Sequence, residues 1–396
     1  MNVKKIASLL HLWLGLAVGL VVISSFLPAV LFVWEEELTD LYYHDFVFVE
    51  SNGKQPQSLT KLLETAKKAV PANQNLEEVE ISSDPKRAYI FSGSDHAEDE
   101  GWTAFSEVEY SNTVYVNPYT AEVSGVIDQE TNWIWLLRIM HQQLLLQYDI
   151  GHLIVGIATL MMFALVITGL ILWWPRNKGA LKQRFKIKFD AKWRRVNYDI
   201  HNVGGFYTQL FILIFAATGL VWTFDWWTDG IYRLLGDDPE KVFNEVPALK
   251  PDGQILTNPL DHAFSDMMTK KANWKLISFF VTEKKFMGVV RYDGHSGWDT
   301  WDIHHYDAKN GGLYFSVKHE DKTTAAKWRN SNYAIHVGSI YGVFTKIIAS
   351  FIALFCASLP VTGFYIWWGR RKKEKKTSAG KGQRQRGKPV LQPRNS

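Results

Sequence analysis

The sequence predicts a membrane protein: a four-helix transmembrane bundle that carries two outer α+β domains and is internally duplicated. Apolar residues make up 47% of the 396 residues. The mean hydropathy is nevertheless only -0.12, so the apolar residues must be concentrated in blocks. Four blocks reach the about 20 residues that a bilayer requires. Histidines that recur at one spacing in the two halves of the chain indicate the duplication.

The four apolar segments are each bordered by tryptophan or tyrosine, as expected of an interfacial aromatic belt. They are residues 6–34, 151–174, 203–227 and 337–368. The first segment is too long for a cleaved secretion signal, so we expect a retained helix.

Lysine and arginine counts predict the orientation. Residues 176–195 contain nine basic residues and one acidic residue, and residues 370–396 contain eleven and one. By the positive-inside rule both stretches lie in the cytoplasm, together with the N-terminus, and the two long segments between them lie outside. Because the basic clusters adjoin membrane ends, they are topology signals, and no nucleic-acid partner is expected.

These signals divide the chain into eight parts. Residues 1–34 form the first transmembrane helix, 35–132 the first outer domain, 133–175 an interfacial segment and the second helix, 176–198 a basic loop, 199–227 the third helix, 228–332 the second outer domain, 333–369 the fourth helix and 370–396 a disordered basic tail.

Each outer domain is predicted to begin with a helix and continue with strands. Helical periodicity covers residues 59–70 and 260–268, and the strands follow at residues 79–81, 88–91, 113–116 and 122–126 and at residues 276–281, 287–292, 301–306 and 313–317. Hairpin turns are expected at residues 117–120 and 310–312.

Four histidines follow the duplication. His11 recurs as His201 after 190 residues, and His141 recurs as His336 after 195. Trp173-Trp174 likewise recurs as Trp367-Trp368. A buried imidazole in a membrane helix costs free energy unless it is paired, so four that obey a repeat favour a bound cofactor, and we expect haem.

The spacing from basic residues predicts how these histidines pair. His11 and His201 each lie six residues after a basic residue that marks the cytoplasmic side, so both are expected at one depth, as the two axial ligands of one haem iron. His141 and His336 would also be level if their helices were unbroken, and we expect them to hold a second haem. His152, at the start of the second apolar block, stays open as a ligand, a propionate partner or a relay site.

Other residues have competing interpretations. Lys346 lies in an apolar stretch and needs an anion, which a haem propionate could supply; snorkelling to the interface is the alternative. Three recurring Thr-Gly pairs are expected to be structural: Thr168-Gly169, Thr218-Gly219 and Thr362-Gly363.

Polar and aromatic residues outside the apolar segments also have two possible interpretations. His304 and His305, with Asp302, Asp307 and His295, could bind iron or a substrate, or could be exposed strand residues. Three tryptophans could line an electron exit path or anchor the interface: Trp133, Trp135 and Trp328.

Several motifs together resemble the PepSY-associated transmembrane family. They are His11-Leu12-Trp13-Leu14-Gly15-Leu16, Leu137-Arg138-Ile139-Met140-His141, Gly151-His152, Thr168-Gly169-Leu170, Trp173-Trp174-Pro175-Arg176, Asp199-Ile200-His201 and Ile335-His336. The resemblance covers nearly everything except the tail, and each outer segment resembles a PepSY domain. Position 152 departs from it, since many relatives are expected to have arginine there.

The resemblance implies a bacterial inner-membrane protein with periplasmic PepSY domains, and some members of the family are haem-containing reductases that release iron from ferric siderophores. The sequence contains no dinucleotide or phosphate-binding motif, so electrons would come from quinol or from a cytoplasmic reductase. We therefore expect a di-haem b oxidoreductase, although no catalytic residue can be named. The alternatives are a non-catalytic protein that binds a periplasmic peptidase or transporter, and a haem reductase for another periplasmic acceptor such as copper.

Overall fold

The computed structural model describes residues 2–51, 53–98, 101–175, 177–239, 256–269, 273–292 and 298–386. The helices within them are α1 Val3–Phe32, α2 Glu35–Tyr42, α3 His44–Val47, α4 Leu59–Lys68, α5 Trp133–Gln143, α6 Tyr148–Trp173, α7 Lys178–Arg184, α8 Trp193–Asp199, α9 Gly205–Thr223, α10 Asp225–Leu234, α11 Pro259–Thr269, α12 Thr324–His336 and α13 Val343–Arg386. The strands are β1 Glu78–Ser82, β2 Tyr89–His96, β3 Val108–Val116, β4 Val123–Asp128, β5 Trp274–Val281, β6 Lys285–Tyr292, β7 Trp301–Asp307 and β8 Leu313–Val317.

Within the described residues, four helical stretches are long and apolar enough to cross a membrane: Val3–Phe32, Tyr148–Trp173, Trp193–Thr223 and Val343–Arg371. The chain is therefore a membrane protein whose bundle is solvated by lipid. The third stretch is composite, because a π-helical segment, Ile200–Gly204, joins α8 to α9. Helix α13 continues to Arg386, into the tail that the sequence predicts to be disordered.

The chain turns sharply before the second long helix, at the end of the bundle next to the sheet. Helix α5 ends at Gln143, and Leu144 and Leu145 adopt left-handed backbone angles of φ 58 and 61 before α6 begins. The Glu107 carboxylate, which lies just before β3, holds this break by accepting hydrogen bonds from the Gln143 side chain and from the Tyr148 amide. His141 therefore belongs to α5, so the unbroken helix that would make it level with His336 is not present.

The fourth predicted helix is broken in the same way. Helix α12 ends at His336, and Gly338 follows with φ +74. A Cβ atom there would lie 2.8 Å from the Thr345 carbonyl oxygen, so glycine is required at this turn. His336 thus lies at the C-terminal end of a short helix, as His141 does.

The bundle has an apolar core at its middle depth. Helix α1 packs against α6 and α13, and α6 packs against α9. Buried side chains from all four fill the space between them: Val18, Val22, Ala158, Met162, Ile212, Ala216, Ile352 and Cys356. This layer excludes water from the centre of the bundle.

The eight strands form one antiparallel sheet with the order β4-β3-β2-β1-β5-β6-β7-β8. The sequence predicts two outer domains, and the structure joins their strands at the centre, where β1 pairs with β5 and Glu80 faces Ser278. The order reads the same from the centre towards either edge. Pairing between strands so far apart in the chain leaves no local sequence signal.

One face of the sheet carries the main core of this region. Helices α4 and α11 pack on it, and fully buried side chains from both halves meet there, including Leu62, Val79, Phe91, Met267 and Phe279. Because side chains alternate along a strand, Glu78, Glu80, Ser278 and Arg291 project from the opposite face. That polar face approaches the bundle, because Trp301 of β7 lines a cavity together with His336.

The central pairing can be tested with an engineered disulfide in a Cys356→Ala background. Ser82 and Leu276 face each other, and because Ser83 N donates to Lys275 O at 3.0 Å, they form a non-hydrogen-bonded pair with close Cβ atoms. We expect Ser82→Cys with Leu276→Cys to oxidise to an intrachain disulfide, measured by thiol counting in a mass spectrometer. The control, Ser82→Cys with Thr282→Cys, places the cysteines about 20 Å apart and should stay reduced. Equal oxidation of both would contradict the single sheet.

Candidate functional site

Two histidines meet near the end of the bundle that carries the basic loop. The ring centroids of His11 on α1 and His201 in the π-helical segment lie 6.2 Å apart, with the ring planes at 89°. His11 Nδ1 lies 3.0 Å from Thr168 Oγ1 and 3.1 Å from the Leu165 carbonyl oxygen. His201 Nδ1 lies 2.9 Å from Thr362 Oγ1. The predicted inner pair is therefore brought together from two different helices.

The second pair lies at the opposite end of the bundle. The ring centroids of His141 and His336 are 6.0 Å apart, with the planes at 46°. His141 Nδ1 donates to the Ser25 carbonyl oxygen at 2.9 Å. His336 Nδ1 lies 2.9 Å from Thr218 Oγ1. The two histidines meet although each sits on a short helix outside the apolar spans.

The partners of Nδ1 assign the tautomer of all four rings. Carbonyl oxygens only accept, so the Nδ1 atoms of His11 and His141 carry hydrogen. The hydroxyls of Thr218 and Thr362 already donate to main-chain carbonyls, at 2.7 Å to Ile214 O and 3.0 Å to Leu359 O, so they accept from their histidines. Each Nε2 then keeps its lone pair, which is the form of imidazole that binds a metal.

The three Thr-Gly pairs, which were expected to be structural, contact the histidines. A Cβ atom on Gly169, Gly219 or Gly363 would lie 3.3 Å from Cε1 of His11, His336 or His201, respectively. The threonine thus holds Nδ1 while the following glycine leaves room for the ring edge. The signal was visible in the sequence as a Thr-Gly pair for three of the four histidines; the fourth, His141, is held by Ser25.

His141 and His336 line a cavity of about 390 Å³. Most of its lining is apolar and comes from α1, α6, α9 and α13. His152 also lines it, with its ring 4.6 Å from that of Tyr148 and its buried Nδ1 lacking a hydrogen-bond partner among the described residues. His152 therefore shares the cavity with His141 and His336 without being part of the close pair.

Lys346 is committed elsewhere. Its ammonium donates to both carboxylate oxygens of Glu37, at 2.7 and 2.6 Å, and lies 5.2 Å from the centre of the Trp34 ring. It does not line the cavity. The expectation that Lys346 pairs with a propionate is thus not met in this structure, because α2 supplies the anion that a buried lysine needs.

The polar residues of β7 are buried rather than exposed, and Asp302 and His304 form hydrogen bonds to neighbouring residues. His304 Nδ1 lies 2.9 Å from Ser316 Oγ, and the Asp302 carboxylate accepts from Tyr292 Oη at 2.9 Å and from the His319 amide at 2.8 Å. In the described part of the chain, no three His, Cys, Asp or Glu side chains are grouped as a metal site. His295 lies outside the described residues.

The three tryptophans that were candidates for an exit path pack against other aromatic rings. Trp133 contacts Tyr42, Trp135 contacts Phe105 and Trp328 contacts Tyr232, and none of the three lines the cavity. Trp222 and Trp301 line it instead, and the Trp222 ring lies 5.2 Å from that of His336. The chain has 17 tryptophans, and sequence spacing alone could not predict that these two line the cavity.

The polar face of the sheet and the turn after β8 contain half-buried ionisable groups. Burial and the neighbouring Glu80 raise the pKa of Glu78 to about 7, although Arg291 opposes the shift. Burial also raises the pKa of Glu80. Burial lowers the pKa of Lys322, which follows β8, to about 8, although Asp302 and Asp299 oppose the shift. On the face towards the bundle, Glu78 therefore has a pKa close to neutral pH.

Comparison with known families identifies the chain. Residues 8–370 match the family described as the PepSY-associated TM region. The chain belongs to this family. The match spans both histidine pairs and the sheet, so the PepSY-associated region includes every element described here except the start of α1 and the end of α13. No match was found among curated proteins.

Proposed function

We propose that the protein is a di-haem inner-membrane reductase that passes electrons across the bilayer to a periplasmic ferric siderophore and releases Fe(II). One observation carries the proposal. Two histidine pairs lie at opposite ends of one apolar bundle, with ring centroids 6.2 and 6.0 Å apart and with each Nδ1 held by an oxygen, which leaves the Nε2 lone pair for a metal. We take the His11/His201 pair as the inner site and the His141/His336 pair as the outer site.

The ring spacing fits an iron between each pair. Metal–imidazole bonds are about 2 Å long, and the ring centre lies about 1 Å beyond the nitrogen, so two imidazoles that would hold one metal between them have centroids up to about 6 Å apart. The observed separations are 6.2 and 6.0 Å. When bound, haem supplies a one-electron Fe(III)/Fe(II) couple. The residues hold the imidazole planes through Nδ1, which also raises the basicity of Nε2.

The two sites lie at different depths. His11 belongs to the inner site, and Ser25, which holds His141 of the outer site, lies fourteen residues later on α1; at 1.5 Å per residue these two positions are about 21 Å apart. The buried apolar core of the bundle lies between them. This layer would keep water and ions from crossing while electrons pass between the sites.

The inner site lies beside the basic loop, whose charge supports a cytoplasmic location by the positive-inside rule. Electrons would enter here from quinol or from a docked cytoplasmic reductase. The outer cavity extends towards the polar face of the sheet, which supports delivery to an acceptor held by the periplasmic PepSY domains. Reduction releases the metal because hard oxygen ligands hold Fe(III) better than Fe(II).

The duplication is supported by matched contacts. His201 meets Thr362-Gly363 as His11 meets Thr168-Gly169, and the strand order mirrors about the β1–β5 centre. Each half would supply one ligand to each iron.

Haem stoichiometry on histidine variants tests the sites. The wild type is expected to contain two haems per chain by the pyridine haemochrome assay. His11→Ala and His201→Ala should lose the same haem, and His141→Ala and His336→Ala should lose the other, because each pair shares one iron. His152→Ala is the matched control, a cavity histidine outside the close pair, and should keep both.

Two outcomes would contradict this assignment. Loss of a haem from His152→Ala would show that His152, and not only the close pair, is needed to hold the haem of the outer site. A colourless wild type would leave the non-catalytic alternative, a membrane PepSY protein that binds a peptidase or a transporter.

The acceptor is tested by reoxidation. Dithionite-reduced protein, freed of excess reductant, is mixed with a ferric siderophore or with a copper(II) salt, and the Soret band is followed. We expect the ferric siderophore to reoxidise both haems, with one Fe(II) trapped by a chelator for each electron. A His141→Ala/His336→Ala variant, which lacks the outer site, should be slower by at least tenfold. Rapid oxidation by copper alone would favour the other acceptor.

A further inference from the structure

We infer that Arg329, Asn330 and Trp301 form a carboxylate-binding site at the sheet end of the outer cavity, and that it holds a propionate of the outer haem. The inference rests on the proposed function and deepens it. It concerns the end of the cavity opposite the apolar helices, where α12 and the start of β7 meet.

The three side chains offer donors without acceptors. The indole Nε1 of Trp301 and the amide Nδ2 of Asn330 are buried and have no hydrogen-bond partner within the described chain. Arg329 adds a guanidinium that lines the same cavity and has no ion pair among the described residues. Buried donors without partners cost free energy, so such a cluster is expected to receive an acceptor.

The missing acceptor should be an anion. Among the described residues, no acidic side chain lines the cavity, so nothing in the described part of its wall neutralises Arg329. A guanidinium binds a carboxylate with two parallel hydrogen bonds, and an indole and an amide can each donate one more. The set therefore matches the four acceptor positions of one ionised carboxylate.

The position relative to the iron ligand fits a propionate. Arg329 and His336 are seven residues apart on α12, so they lie on one face of the helix and about 10 Å apart along its axis. That is comparable with the distance from the centre of a haem to the end of a propionate arm. Lys346, the other candidate, already binds Glu37.

A carboxylate of an incoming ferric chelate has the same chemistry, and the experiment separates the two sources. His11→Ala/His201→Ala protein, which keeps only the outer pair, is stripped of haem and titrated with haem or with haem dimethyl ester, whose propionates carry no charge. Arg329→Met is measured in the same background. Arg233→Met removes an exposed arginine of α10 and is the matched control.

We expect the ester to bind at least tenfold more weakly than haem, and Arg329→Met to weaken haem by a similar factor while losing the discrimination between haem and ester. The Arg233→Met control should behave like the parent. The ester arm uses the parent protein, so it does not depend on how Arg329→Met folds.

Equal binding of haem and ester by the parent would overturn the inference while leaving the proposed function intact. So would an Arg329→Met protein that keeps full haem affinity but has a higher KM for a carboxylate-bearing ferric chelate, since the site would then belong to the substrate. A parent that binds no haem at all would instead refute the proposed function.

Discussion

The structure depends on how four imidazoles are held. Each Nδ1 is fixed by an oxygen of a neighbouring helix: from Thr168 and the Leu165 carbonyl for His11, Ser25 for His141, Thr362 for His201 and Thr218 for His336. Each contact satisfies a polar group that apolar surroundings would otherwise penalise, and it selects the tautomer that leaves the lone pair on Nε2. Since each contact joins two helices, the same bonds that orient the rings also set how the bundle packs.

The rest of the fold is consistent with that constraint. Helices α5 and α12 are separate from the membrane spans, and they bring His141 and His336 together at the end of the bundle next to the sheet. The sheet stabilises one of these breaks through Glu107, and it places Trp301 against the outer cavity. Strands from both halves share one sheet, so α5, which follows β4, and α12, which follows β8, are both connected to the same sheet.

Local patterns predicted much of this architecture. Apolar length identified the four spans, alternation located the strands, and the repeat of His11 and His141 in the second half indicated which histidines pair. The sequence did not predict the features that depend on distant residues. These are the β1–β5 pairing, the ion pair between Lys346 and Glu37, which lie 309 residues apart, and the left-handed conformation of Leu144 and Leu145. Leucine has no preference for that conformation, so only the surrounding contacts reveal it. The Thr-Gly pairs were recognised as a repeat, but their role needed the ring positions.

Electron paramagnetic resonance of the oxidised protein reports the ligands on the iron and so decides whether each histidine pair shares a haem. We expect two low-spin ferric signals of bis-imidazole type, distinguishable because the ring planes cross at 89° in the His11/His201 pair and at 46° in the His141/His336 pair. High-spin signals alone, or no haem signal, would show that these imidazoles do not share an iron.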